Sequence, residues 1–418
     1  MELKTEKKSK FEVLIALIII MLPFQQILTL QVGLTVRISD LIIGIVFIFM
    51  FLTYLKTGQR LYFNMFFLYL LLNAMLMTVL LNDQIKYGIS TFDSSVTTRT
   101  LINIIGVAIA IMAYSIGVFI GKKAHIFIKV IKLWSGMIIF LSIYVFIQFL
   151  VINITGTWIH LPGEHLNEIT SYAYGLRRPY GFSIEPGALG NFLAFSFLLI
   201  FTYLENSRFK NITLVLCSIA IFCSMSSIAI ITIVSFAFLG MLSKKMPLKY
   251  KMLLVALLIF IFFLIINNKF LYAATVGKVF ENNYSRLDRT TNSVILKNMF
   301  IDHPIFGVGF GNYGALRNLY SANTEFPYRN FYDTPNSFYF ELIGELGIIG
   351  TILFIIFAIK LFFFVKKSKK NPILIIFPFL ILIIPSSNIT ANYLAIGFGI
   401  IYGRYLFSSV VEPRTQDV

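Results

Sequence analysis

Apolar residues in this chain do not alternate with polar ones at the strand period. They come in long, nearly unbroken runs. A helix of about 20 apolar residues matches the hydrocarbon core of a bilayer. Twelve such spans are read, at 11–30, 38–55, 61–81, 100–121, 126–152, 187–204, 210–224, 226–242, 252–266, 336–364, 372–387 and 392–409. The run 211–242 counts as two, because the polar patch CSMSS at 223–227 interrupts it. A membrane barrel would show short alternating segments instead. The pattern therefore predicts an all-α polytopic membrane protein, one integral membrane domain over 1–418, with two long loops at 153–186 and 267–335.

Composition sharpens this. The 418 residues are 58% apolar and 13% charged. A soluble domain is about a quarter charged, so a soluble enzyme is excluded, and 44 Phe and 21 Tyr exclude disorder. A net charge of +16 suggests nucleic acid only until the charges are placed. Basic clusters fall at Lys4/Lys7/Lys8/Lys10, Lys56/Arg60, Lys122/Lys123/Lys129, Arg208/Lys210, Lys244/Lys245/Lys249/Lys251 and Lys366/Lys367/Lys369/Lys370. Twelve spans put all of them on one side, which the positive-inside rule makes cytoplasmic. Both termini are then inside and both long loops outside. Reading 211–242 as one span would throw the last two clusters outside.

Arginine is distributed differently. Arg177, Arg178, Arg286, Arg289, Arg317 and Arg329 all fall in the outer loops. A guanidinium presents a planar fork that grips phosphate oxygens in pairs, which an ammonium cannot do. Lysine is thus read as setting topology and arginine as recognising an anion. Cys217 and Cys223 share one apolar run and, six apart, do not face each other across a helix, so no disulfide is expected. There is no metal-ligand cluster, no P-loop and no Asp-x-Asp, so no cofactor is expected and any sugar donor must arrive activated in another way.

Three segments could carry chemistry. RRPYGFSIEPGALGNFLAF, 177–195, places Arg177, Arg178 and Glu185 on a Pro/Gly-shaped turn at the mouth of the sixth span. It reads as a phosphate clamp beside a carboxylate base, or as a helix entrance closed by an Arg–Glu pair. In the second loop, Leu287, Val294, Ile295 and Met299 recur at roughly helical spacing, which would put Arg286 and Arg289 on one face. His303 precedes Pro304 and the glycine turn GVGFG at 307–311, which lacks the βαβ context of a dinucleotide site. Finally, a helix over 336–364 would be roughly 43 Å long, more than the hydrocarbon core. Its first turns, with Glu341 and Glu345 on one face, are expected in the outer interface, as site carboxylates or as salt-bridge partners of an outer arginine.

GVGFGNY followed by PNSFYFELIGELGIIGTILFI resembles the C-terminal signature of the O-antigen ligase/polymerase superfamily, and RRPYGFSIEPGALGNFL looks like its upstream loop. The EP element is more typical of the polymerase branch. The ligase branch begins its last motif with His-Asn, the His being the proposed base; here Pro335 and Asn336 stand there. The resemblance implies a metal-independent, GT-C-like membrane glycosyltransferase of the bacterial cytoplasmic membrane. Its donor would be a polyprenyl-pyrophosphate glycan, its acceptor a hydroxyl of another lipid-linked repeat unit, and its product O-antigen, capsule or exopolysaccharide.

On this reading Arg177, Arg178, Arg286, Arg289 and Asn336 hold substrate. Glu185 is the first choice of base, followed by Asp333, Glu341 and His303. The expected partners are the lipid-linked oligosaccharide and the bilayer, with a chain-length regulator and a flippase as protein candidates and no nucleic acid. The rivals are a ligase with the same donor, a peptidoglycan polymerase and a lipid or polysaccharide flippase. Against the last, the two halves show no matching set of Gly/Pro-broken spans.

Overall fold

The computed structural model describes residues 10–25, 29–31, 35–58, 60–88, 96–159, 172–173, 176–242, 252, 266–267, 284–321, 337–367, 371–384 and 389–411. Residues 253–265 of the span expected at 252–266, and the candidates Asp333 and Asn336, lie outside them.

Helix α1 (Lys10–Met21) is shorter than the span expected at 11–30. Pro23 cannot continue a helix, and the chain turns into a small antiparallel hairpin, β1 (Thr29–Gln31) with β2 (Thr35–Arg37). Helix α2 (Ile38–Thr57) follows at once and ends on Gly58 in the left-handed region. Helix α3 (Met65–Leu80) starts where the Asn64 side chain accepts the Phe66 N–H at 2.8 Å, a standard N-cap. Then come α4 (Asn82–Gly88), α5 (Val96–Lys122) and α6 (Ala124–Thr155). A second short hairpin, β3 (Tyr172–Ala173) with β4 (Leu176–Arg177), leads into α7 (Pro186–Tyr203). Helices α8 (Arg208–Ser224), α9 (Ser227–Leu242), α10 (Tyr284–Asp302), α11 (Tyr313–Tyr320), α12 (Phe338–Lys367), α13 (Ile373–Leu382) and α14 (Asn392–Val411) complete the order.

Among the described residues, Ile38–Thr57, Leu101–Lys122, Ala124–Thr155, Pro186–Tyr203 and Phe338–Lys367 are long and apolar enough to cross a membrane, and four shorter apolar helices accompany them. Large apolar side chains line their outer faces, such as Ile45, Phe49 and Leu52 on α2 and Ile352, Ile355 and Ile359 on α12. A belt of that kind suits lipid, not water. The chain is an integral membrane protein.

The run 211–242 does divide. Met225, with φ 47°, ends α8. The start of α8 lies beside the end of α7, where Lys210 Nζ donates to the Phe201 carbonyl at 2.8 Å and the Leu204 carbonyl at 3.0 Å. At the other end, Ser224 meets Arg178, just before α7. Helix α9 then starts against Gly190 and later reaches Phe201 through Phe236, with ring centroids 4.6 Å apart. The chain therefore rises along α7 and reverses at Met225.

Helices α5 and α14 pack backbone to backbone. A methyl placed on Gly117 would meet the Ile396 carbonyl oxygen at 2.2 Å, and one on Gly399 the Tyr114 carbonyl oxygen at 2.1 Å. Gly117/Gly121 and Gly399/Gly403 are both small-xxx-small pairs, the spacing by which membrane helices approach closely.

The helix expected unbroken over 336–364 is broken. Within α12, Gly347 has φ 64° and ψ −163°. The run is apolar on both sides of it, so hydropathy alone reads straight through.

Candidate functional site

The break in α12 exposes backbone groups that a bilayer cannot satisfy, and the glycine turn fills the gap. Val308 and Gly309 donate their N–H groups to the carbonyls of Gly344 and Glu345, at 3.0 and 2.9 Å. Beyond the break, Ile348 and Ile349 donate to the carbonyls of Pro304 and Ile305, at 2.9 and 3.3 Å. The Tyr69 hydroxyl donates to the Leu346 carbonyl at 2.9 Å. Gly307 has φ 69°, and a methyl there would meet the Glu345 carbonyl oxygen at 2.3 Å. The two halves of the GVGFGNY…ELGIIG pattern are thus two sides of one backbone junction.

Side chains bolt this junction to the bundle. Asn73, in the middle of α3, donates to the Phe306 carbonyl at 2.7 Å and accepts the Phe310 N–H at 2.8 Å. Glu345 accepts the Gly311 N–H on Oε2 and the Tyr313 N–H on Oε1, each at 2.8 Å. It therefore holds the start of α11, where the helix dipole favours negative charge. The Tyr313 hydroxyl donates to Asn292 Oδ1 at 2.7 Å, tying α10 to the same unit. Of these residues, Glu345 was singled out in the sequence, whereas Asn73, Tyr313 and Asn292 were not. The available signal was Asn73, a strong hydrogen-bonding side chain inside an otherwise apolar span.

Glu341 and Glu345 were expected in the outer interface. Both are buried within the bundle, at 5% and 1% exposure. Among the described residues, Glu341 forms no ion pair with an arginine. Glu345 is occupied by backbone amides. Glu341 Oε2 is buried with no hydrogen-bond partner among the described residues. His303 lies half-buried just past α10, its N–H donating to the Met299 carbonyl and its carbonyl accepting from Gly307. Arg289 is exposed on α10. The side chain of Arg286, expected to share its face, is outside the described residues.

The second group sits between α6 and α7. Arg177 is held by Asn153 at both backbone atoms, N–H to Oδ1 and carbonyl to Nδ2, each 2.9 Å, and its guanidinium donates to the Gly156 carbonyl. Gly181 N–H donates to Gln148 Oε1 at 2.9 Å. Phe182 is stacked between Phe24 and Tyr144, with both centroid distances 4.5 Å. These contacts make the 177–183 turn a rigid ledge.

Arg178 is buried at 8% exposure, and its Nε donates to the Ser224 carbonyl at 3.1 Å. That carbonyl belongs to the last turn of α8, where a cation is favoured. Burial holds the guanidinium below its ordinary pKa, and the Glu185 charge nearby works the other way. Glu185 is the N-cap residue of α7 and makes no side-chain cap bond. It is exposed and closes no ion pair with Arg178, so the closed Arg–Glu entrance is not formed. What the ledge presents is a buried, oriented cation and a solvent-facing carboxylate seven residues apart.

Residues 212–355 match a family model described as O-Antigen ligase. No curated protein matches the chain. The matched segment contains the glycine junction and α10, with Arg286 and Arg289. The Arg178–Glu185 ledge lies upstream of it. Over residues 212–355 the match supports the resemblance to the O-antigen ligase/polymerase superfamily read from the sequence.

Proposed function

We propose that this chain is a polymerase of the O-antigen ligase/polymerase superfamily. It joins polyprenyl-pyrophosphate-linked oligosaccharide repeat units at the outer face of a bacterial cytoplasmic membrane. The observation that carries this is the ledge: a buried arginine and an accessible carboxylate on one rigid turn, beside a family match that implies glycan transfer.

The chemistry needs two functions. The acceptor hydroxyl oxygen forms a bond to the donor's anomeric carbon while the bond from that carbon to the pyrophosphate oxygen breaks. Arg178, with Arg177, Arg286 and Arg289, stabilises charge on the departing pyrophosphate. Glu185 takes the hydroxyl proton. Asp333, Glu341 and His303 rank behind it, and Asn336 is a substrate contact. Twelve spans, both termini inside and a GT-C-like arrangement belong to the same proposal. A chain-length regulator and a flippase would act on either side of this step.

Purified protein in lipid nanodiscs, supplied with lipid-linked repeat units, tests it. A ladder of longer lipid-linked glycans is expected. Transfer only to a different acceptor would make the protein a ligase. Movement of units across vesicles without any new glycosidic bond would make it a flippase.

A further inference from the structure

The ledge carries an aromatic surface that the transfer chemistry leaves unused. Gly156 closes α6, and two residues later Trp158 lays its ring on Tyr180, with centroids 5.3 Å apart and planes 24° apart. Tyr180 is 3% exposed, whereas Trp158 is half-buried. The pair cannot drift, because Asn153 and the Gly156 carbonyl pin Arg177 to the end of α6. Tyr180 stands two residues from Arg178 and five from Glu185.

The same turn also holds unspent polar capacity. Gln148 Nε2 and Ser183 Oγ are buried with no hydrogen-bond partner among the described residues. A pyranose ring has an apolar C–H face that lies on an indole and a rim of hydroxyls that needs polar partners. A tryptophan serving only as a membrane anchor would turn its ring to the lipid interface, with no need of a buried ring behind it.

We propose that Trp158, backed by Tyr180, is a stacking platform for a pyranose ring of the substrate glycan, next to the pyrophosphate held by the arginines. This rests on the polymerase reading for the substrate's identity.

The chain offers a direct probe. It has two tryptophans, and Trp134 is 0% exposed, so a water-soluble quencher such as iodide reaches Trp158 alone. In nanodiscs, the repeat-unit oligosaccharide released from its lipid should protect the fluorescence from iodide. Trp158→Leu should raise KM for lipid-linked units roughly tenfold, with kcat within about twofold, and Trp158→Tyr should restore most of the loss. Unchanged quenching at saturating glycan would overturn the platform, as would strong quenching by brominated lipid that the sugar does not alter. If Trp158→Leu does not fold, the wild-type quenching experiment still decides. A wild-type protein that shows glycan protection yet builds no polymer would sink the polymerase reading and leave the platform standing.

Discussion

Arg178 and Glu185 divide the work of the ledge by burial. Arg178 has its Nε committed to the Ser224 carbonyl, so its fork is aimed by the fold, and lysine has neither the fork nor that donor. Arg178→Lys should therefore lose polymer synthesis nearly as completely as Arg178→Ala, measured as glycan ladder per unit of folded protein. Normal ladders from the Lys variant would reduce Arg178 to a point charge. Glu185 makes no cap bond and faces solvent, so Glu185→Gln should fold normally and still bind donor. As the base, its loss should cut the rate by roughly 10²–10⁴-fold; full activity would pass the role to Asp333, Glu341 or His303. Glu345 has a different task. Its carboxylate satisfies two backbone N–H groups, and leaving such donors buried and unpaired costs about 1–3 kcal/mol each. Glu345→Leu should lower the melting temperature sharply, whereas Tyr313→Phe, which removes the hydroxyl that bonds Asn292 and leaves both backbone N–H bonds to Glu345 in place, should lower it by less. The reverse order would show that the glycine loop is held by something else.

At the scale of elements, two close backbone approaches decide the packing. The break at Gly347 and the turn at Gly307 face each other across the α12 junction, where a methyl on Gly347 would meet the Ile305 carbonyl oxygen at 2.4 Å. Both also have positive φ, so Gly307→Ala combines strain with a clash against backbone that cannot move aside. It should give little folded protein, as judged by size-exclusion chromatography. At the α5–α14 contact, Gly399→Leu should separate the pair for a purely steric reason. A Gly399→Leu protein that elutes and melts like wild type would show that the two helices are not in backbone contact. The helices themselves were legible in hydropathy, mostly to within a few residues. The break at Gly347 was not, because Leu346, Ile348 and Ile349 around it are as apolar as any continuous span. What stabilises the break is a loop some 40 residues upstream, and local pattern carries no trace of that partner.

For the whole molecule, orientation is the claim most open to a direct check. The native thiols Cys217 and Cys223 are both buried, so background labelling should be low. Asp302→Cys, exposed just before the glycine turn, should react with an impermeant maleimide in intact cells. Glu205→Cys, exposed between α7 and α8, should react only after the membrane is opened. Ser321 would be a poor probe, because it is 2% exposed. The opposite labelling pattern would invert the topology and place the ledge on the cytoplasmic side.

The amino-acid order by itself determined that the chain lives in a bilayer, where its helices run, and that 211–242 reverses, because span length and polar interruption are local properties. It also exposed the superfamily pattern and the Arg178–Glu185 pair as neighbours in sequence. Only the tertiary structure decided what surrounds each of these residues. Burial separates Arg178 from Glu185 through the end of α8, where Ser224 lies 46 residues after Arg178. Glu345 and Glu341, identical in type and one turn apart, differ because backbone amides from the glycine loop reach one, whereas an oxygen of the other has no partner among the described residues. Desolvation and hydrogen bonding depend on which distant segments fold against a side chain. No periodicity along the chain encodes that.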